Sequence, residues 1–161
     1  MKRDGNLFGE SITEKYQQNI DEEVREMLGV IELPDENYLK KNNNLCYIIL
    51  DEKDDFIGIV EFFNLSWKNR RAELSIIIKS SFRGKGYGYE AVKKMLDIGF
   101  TEVGLNRIWL RVLENNHRAI ELYKRIGFIQ EGINREESLR KGQFISQIQM
   151  SILKSEWVKK D

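Results

Sequence analysis

Three consecutive isoleucines, followed within ten residues by three alternating glycines, constrain this chain more than any other feature. Ile76, Ile77 and Ile78 are β-branched and apolar, and polar residues bound them, which predicts a short buried strand. A loop follows, Lys79-Ser80-Ser81-Phe82-Arg83-Gly84-Lys85-Gly86-Tyr87-Gly88. After Gly88, Val92, Met95, Leu96, Gly99 and Phe100 recur at steps of three and four, and Glu90, Lys93, Lys94 and Asp97 fall mostly on the other side. That spacing predicts an amphipathic helix reaching to about Val103. Glycines at this junction permit positive φ and let a ligand approach the backbone. The first amides of a helix have no internal partner, and their dipoles favour an anion. With Arg83 and Lys85 adding positive charge, residues Arg83, Gly84, Lys85, Gly86, Tyr87 and Gly88 form a candidate phosphate cradle.

The kind of phosphate is less constrained. A P-loop is excluded, because no Gly-Lys-Ser/Thr follows four residues after a first glycine. The segment Gly86 to Ala91 fits the dinucleotide pattern G-x-G-x-x-A, with Glu114 as a candidate ribose-binding acid. A doubly wound fold needs repeated strand–helix units, however, and only one or two can be found.

At 161 residues the chain suits a single α+β domain with one core. No apolar run approaches membrane-spanning length and no signal-peptide pattern opens the sequence, so a cytoplasmic protein is expected. One cysteine, Cys46, rules out an intrachain disulfide, and with one histidine, His117, no metal site is expected. Charges sum to zero but are uneven, with a net −7 over residues 1–60 and +7 over residues 61–161. A basic half for an anionic cofactor and an acidic half for a cationic substrate would give this balance, and so would solvated helix faces of opposite bias. No basic stripe with interleaved aromatics points to nucleic acid.

Along the chain, Ser11 to Leu28 is a helix candidate with Ser11 and Glu14 as a capping box, and a second helix is possible from Asp35 to Lys41. Asn42-Asn43-Asn44 reads as a turn. Strands are predicted at Leu45–Leu50, Phe56–Phe63 and Ala72–Ile78, joined by turns at Asp51–Asp55 and Trp67–Arg71. Such a meander feeding a phosphate loop disfavours a dinucleotide fold. A strand at Asn106–Val112 follows, then a helix at His117–Ile126 capped by Asn115-Asn116 and stopped by Gly127. A short strand at Phe128–Glu131 and a last strand at Phe144–Leu153 complete the reading.

Two motifs in order carry a family resemblance. Arg83-x-x-Gly86-x-Gly88 resembles the pyrophosphate loop of the GNAT superfamily of acyl-CoA-dependent N-acetyltransferases, and Asn116 to Phe128 resembles its pattern Asn-x-x-Ala-x-x-x-Tyr-x-x-x-Gly-Phe. The likeness covers about Gly58 to Leu153 and is nearest the branch of spermidine and ribosomal-protein alanine acetyltransferases. Gly58-Ile59-Val60-Glu61, Arg70-Arg71-Ala72-Glu73, Glu131-Gly132 and Ser151 to Glu156 also carry it. The family's opening Arg-Pro stretch has only Asn6-Leu7-Phe8-Gly9 in its place.

The resemblance implies a mixed sheet flanked by helices, with residues 1–57 as an acceptor-side lobe and 58–153 as the acetyl-CoA core. It implies that the backbone of Ile76, Ile77 and Ile78 pairs with the pantetheine arm, that Arg83 to Gly88 wrap the pyrophosphate, and that Asn116 binds on the pantetheine side. Tyr123 takes the family's general-acid position, although a tyrosine on that face also suits a core. Glu73 could serve as base towards an amine, or could simply pair with Arg71 or another arginine. His117, Cys46, Trp67 and Tyr47 are weaker candidates for base, nucleophile or pocket wall. The acidic residues Asp21, Glu22, Glu23, Asp35 and Glu36 could attract a polyamine or merely solvate a helix. The expected partner is a small cationic amine or a peptide N-terminus, in a homo-oligomer of two or more copies. An acyl-CoA-binding regulator and a nicotinamide-dependent oxidoreductase are the competing functions.

Overall fold

Strand β1, Leu45–Leu50, opens the described part of a computed structural model that covers residues 45–51, 53 and 55–157. The helices expected over Ser11–Leu28 and Asp35–Lys41, the Asn42–Asn44 turn and the Asn6–Gly9 stretch lie outside the described residues. The described residues divide into two compact units, one holding those up to Leu65 with Leu74–Met95, the other holding Ser66–Glu73 with those from Leu96 onward.

In the first unit, β1 alternates, burying Tyr47 and Ile49. It pairs antiparallel with β2, Phe56–Ser66, from Leu45↔Phe62 to Leu50↔Phe56. The turn between them closes through Asp51, whose carboxylate accepts from the amides of Lys53 (2.8 Å) and Asp55 (2.9 Å). Strand β3, Arg71–Ile78, neighbours β2 and belongs to this unit from Leu74 onward. The two backbones come so close that a Cβ on Gly58 would collide with the carbonyl oxygen of Ile77. Helix α1, Tyr87–Asp97, buries Ala91, Val92 and Met95 and leaves Glu90, Lys94 and Asp97 exposed, as its periodicity predicts.

The predicted single helix to Val103 is divided. A π-helical segment, Ile98–Glu102, follows α1, with the Val103 amide donating to Ile98 O at 2.9 Å.

The second unit holds the start of β3, then β4 (Arg107–Leu113), helix α2 (His117–Ile126), β5 (Ile129–Arg140), β6 (Gln143–Leu153) and a single turn, α3 (Lys154–Trp157). A parallel ladder joins Arg71↔Arg107, Ala72↔Ile108 and Glu73↔Trp109. Strand β6 runs antiparallel to β4 and to β5, giving the strand order β1-β2-β3-β4-β6-β5. Ile108, Leu110, Val112, Met150 and Ile152 are buried, as the alternation requires.

Strand β5 corrects the sequence reading. It is not a short strand ending at Glu131 but continues to Arg140, turns at Lys141-Gly142 with both residues at positive φ (47° and 76°), and returns as β6. Positive φ at both central residues is the signature of a tight hairpin turn. A bulge opposite Ser146, between Asn134↔Gln147 and Ser138↔Ile145, breaks the alternation that would have signalled the longer strand.

The Arg107–Glu131 pair ties β4 to β5. The guanidinium donates to both carboxylate oxygens (2.5 and 2.7 Å), while the Ser151 hydroxyl (2.7 Å) and the Gln149 amide (3.2 Å) donate to the same carboxylate. The hydrogen bond from Arg107 and the two added donors hold Glu131 at about 2, against a partly opposing desolvation.

Two predictions follow from this architecture. Gly58→Ala forces a Cβ against backbone that cannot swing away, so it should cost about 3 kcal/mol or more in urea unfolding; an unchanged midpoint would show that β2 and β3 can separate freely. Glu131 has a depressed folded-state value, so its stabilisation is complete above the ordinary carboxylate range and is lost as pH falls through that range towards about 2. Thermal unfolding of Glu131→Gln should therefore show a smaller loss of stability than the parent between pH 5 and about pH 2.

Candidate active site

The glycine loop is built by short-range bonds within the first unit. At the end of β3 the Lys79 amide donates to Ile57 O (2.9 Å), and the chain then turns through a 3-10 segment, Ser80–Phe82. The Arg83 amide donates to Ser80 O (3.2 Å), and the Arg83 Nε donates to the carbonyl of Ile78 at 2.9 Å. Arg83 therefore bolts the loop back to the strand. Beyond it Gly84 and Gly86 sit at φ of 81° and 91°, which L side chains rarely adopt. Gly84, Lys85 and Gly86 are exposed, and a Cβ on Gly86 would meet only open space.

The Gly86 carbonyl accepts from the Glu90 amide at 3.1 Å, so α1 begins at Tyr87, earlier than predicted. Gly88 lies inside the first helical turn and not in the loop. The amides of Tyr87, Gly88 and Tyr89 thus head the helix, in the positions that lack partners within it. The Tyr87 ring packs edge-on to Phe82 (centroids 6.1 Å apart), and the Lys85 ammonium lies 5.3 Å above the Phe82 ring. Of the isoleucines, Ile77 is buried while Ile76 and Ile78 are half-buried.

The second unit holds the other predicted residues. Asn116 caps α2, its Oδ1 accepting from the Ala119 amide at 3.2 Å. At the other end Gly127 takes φ 117°, and the Gly127 and Phe128 amides both return to Tyr123 O. Tyr123 is buried, with its ring edge-on to Phe128 at 5.6 Å, and burial pushes its hydroxyl up to about 12.

Glu73, with 3% of its side chain exposed, accepts from Arg111 Nε at 2.8 Å. Arg111 also reaches Glu137 (3.3 Å) and stacks its guanidinium 5.6 Å from the Trp109 ring centre. The arginine partner considered for Glu73 is therefore Arg111, whereas Arg71 stands opposite Arg107 in the ladder and is exposed.

Sequence reasoning missed Arg111 and Glu137. No sequence signal pairs them with Glu73; the folded register does, since Glu73 stands opposite Trp109 and Arg111 follows two residues later on the same face. Of the weaker candidates, His117 and Trp67 are exposed and Tyr47 is buried. Burial and Glu61 push the Cys46 thiol well above its ordinary value, which removes it as a nucleophile. Among the described residues no cluster of three metal-ligating side chains occurs, and no helix is long and apolar enough to cross a membrane.

Comparison with known proteins agrees with these features. The acetyltransferase (GNAT) domain family matches residues 9–129. The spermidine N(1)-acetyltransferase of Vibrio cholerae is 31% identical over 137 residues, covering 85% of this chain and 79% of the relative. That of Escherichia coli is 36% identical over 101 residues, covering 63% and 54%. A crystal structure of mutant forms of the spermidine/spermine N-acetyltransferase SpeG from Vibrio cholerae superposes with a TM-score of 0.74 at 31% identity, covering 78% of each chain. Loop, capped helix and strand order thus meet in one assignment: the chain belongs to the GNAT acetyltransferase family.

Proposed function

We propose that this protein transfers an acetyl group from acetyl-CoA to a primary amine by direct attack, with a small cationic amine such as a polyamine as acceptor. The observation that carries the reading is the pair of left-handed glycines, Gly84 and Gly86, running into the open N-terminus of α1 in a chain of this family. Acetyl-CoA supplies the acetyl thioester, an electrophile open to an amine, together with a sulfur that departs.

The residues present fit a pyrophosphate-bearing ligand. Gly84 and Gly86 expose backbone that no side chain covers, the first amides of α1 favour an anion, and Lys85 adds a cation. Arg83 would hold the loop in shape, and Ile76, Ile77 and Ile78 would offer strand backbone to the peptide-like arm. The resemblance also gives Asn116 a place on that arm. Its Oδ1 accepts from the helix, which leaves its amide as the group to donate.

Two side chains would move protons. An alkyl amine with a pKa near 10.4 is protonated at pH 7, and freeing it costs roughly 4 to 5 kcal/mol. Glu73, oriented by Arg111, would receive that proton through water. Tyr123, pushed up to about 12, keeps its hydroxyl protonated across the working range and would donate to the leaving sulfur. The polyamine preference is supported by the relatives named as spermidine N(1)-acetyltransferases.

The first test is release of free thiol from acetyl-CoA with spermidine, spermine, diamines and short peptides as acceptors. Release with polyamines supports the reading. Release with peptides alone would assign the protein to N-terminal acetylation, and tight acetyl-CoA binding without turnover would make it an acyl-CoA-binding regulator.

Tyr123→Phe keeps the ring contact with Phe128 and should lower kcat by about 10² to 10³ with little change in the acetyl-CoA KM. Because the Tyr123 hydroxyl stays protonated, the parent rate should climb with pH as the amine loses its proton and show no falling limb below about pH 10. An unchanged kcat in Tyr123→Phe would exclude the acid role, and a tyrosine-dependent fall near neutrality would show that burial does not hold its hydroxyl high. Gly86→Ala, whose Cβ meets open space, strains only the backbone and should raise the acetyl-CoA Kd about tenfold by calorimetry.

A further inference from the structure

We propose that Arg111 selects among acceptors by yielding its outer partner, Glu137, to a second ammonium group of the amine, so that acceptors carrying two cations are preferred to those carrying one. The inference rests on the acetyl-transfer reading and assigns a recognition role at the same site. The Arg111 guanidinium is held unequally. Its Nε donates to Glu73 at 2.8 Å, within the range of a charge-assisted hydrogen bond, while Nη1 stands 3.3 Å from Glu137, beyond that range. The Glu137 side chain is 45% exposed, against 3% for Glu73. An ion pair so open to water contributes little, and the guanidinium loses little by releasing it. The Nε bond and the Trp109 ring, centred 5.6 Å from the guanidinium carbon, keep Arg111 in place when Nη1 lets go.

Glu131, the other carboxylate of the polar network, is committed, because Arg107, Ser151 and Gln149 all donate to it. Glu137 is the one whose partner can be exchanged. It reaches Arg111 only because of the bulge: residues 135–137 lie between the pairs Asn134↔Gln147 and Ser138↔Ile145, Glu136 takes φ 51°, and its amide donates to the Ser146 hydroxyl at 3.1 Å. Strand β6 lies between β4 and β5, and the bulge carries the Glu137 carboxylate across it to Arg111 on β4. Re-aiming a side chain towards a site is a recurring use of bulges. An amine whose reacting nitrogen lies at Glu73 thus finds, one guanidinium's width away, a carboxylate suited to a second ammonium. One cation replaces another at Glu137, and the pairing of the buried charge on Glu73 is untouched.

Initial rates with acetyl-CoA and two acceptors, a linear diamine and the monoamine of the same chain length, test the inference. The parent should show the lower KM for the diamine. Glu137→Gln should reduce the diamine-to-monoamine ratio of kcat/KM about fivefold, through the diamine KM. Arg111→Lys, whose single ammonium cannot span both carboxylates, leaves Glu137 to the substrate and should raise the same ratio. A merely structural Glu137 would slow both acceptors alike in Glu137→Gln, and an unchanged ratio overturns the inference. So does a parent that turns over both amines without preference, and so does a ratio that falls in Arg111→Lys. Turnover of neither amine would instead remove the small-amine reading itself, and this inference with it.

Discussion

A nearly buried carboxylate on a central strand is the constraint on which the second unit depends. Glu73 has almost no contact with water, and a charge so placed is costly unless it is paired and hydrogen-bonded. Its partner, Arg111, stands on β4 two residues beyond Trp109, the residue that Glu73 faces across the parallel ladder. Slipping β3 against β4 by one residue would send Glu73 to the face that Ile108, Leu110 and Val112 occupy. The guanidinium then reaches across to Glu137 on β5. One buried charge therefore fixes the register of three strands, and it does so with the side chain proposed to accept the substrate's proton. An oriented carboxylate suits that task, because its position is set before any ligand arrives.

The loop of the first unit follows a related logic. Arg83 looks in the sequence like a charge aimed at phosphate, yet its Nε is bonded to the Ile78 carbonyl. That bond closes the turn between strand and helix and leaves Gly84 and Gly86 in backbone conformations that no other residue would adopt cheaply. The loop is shaped by contacts within itself, so little ordering remains to be done on binding. In the proposed cofactor site, the attraction for an anion would come chiefly from backbone amides at the head of α1, with Lys85 beside them.

How far the sequence revealed this depends on the range of each interaction. Helix α2 was legible end to end, because Asn116 and Gly127 mark its limits by local chemistry and Tyr123 and Ile126 fall on its apolar face. Strand β1 was legible from its bounded apolar run. The start of α1 was misplaced because Gly88, read as part of the loop, is tolerated in a first helical turn. The extent of β5 was hidden by the bulge over residues 135–137, and by a Lys141-Gly142 turn that lacks the usual Asn or Asp before its glycine. Arg111 and Glu73 are 38 residues apart, and Arg107 and Glu131 are 24 apart. No local pattern pairs residues at such distances. The candidate cradle residues could be proposed because glycines before a helix advertise themselves; the partners that hold Glu73 could not, because only the folded register brings them together.

The same register also accounts for the division of labour in the outer sheet. Along β4 and β6, one set of alternate residues (Ile108, Leu110, Val112, Met150, Ile152) is buried, while the opposite set (Arg107, Trp109, Arg111, Gln149, Ser151) supplies the polar network around Glu73 and Glu131. Followed outward along the hairpin, the apolar set continues through Ile148 to Phe144, Leu139 and Ile133, where it reaches solvent. The bulge at Glu136 blunts strand pairing along β5 and so protects the edge, yet the apolar face beside it is kept. The two features are separable because they belong to different parts of the chain: the bulge interrupts the backbone ladder, while the face is set by side-chain alternation on β6, which the bulge leaves in register.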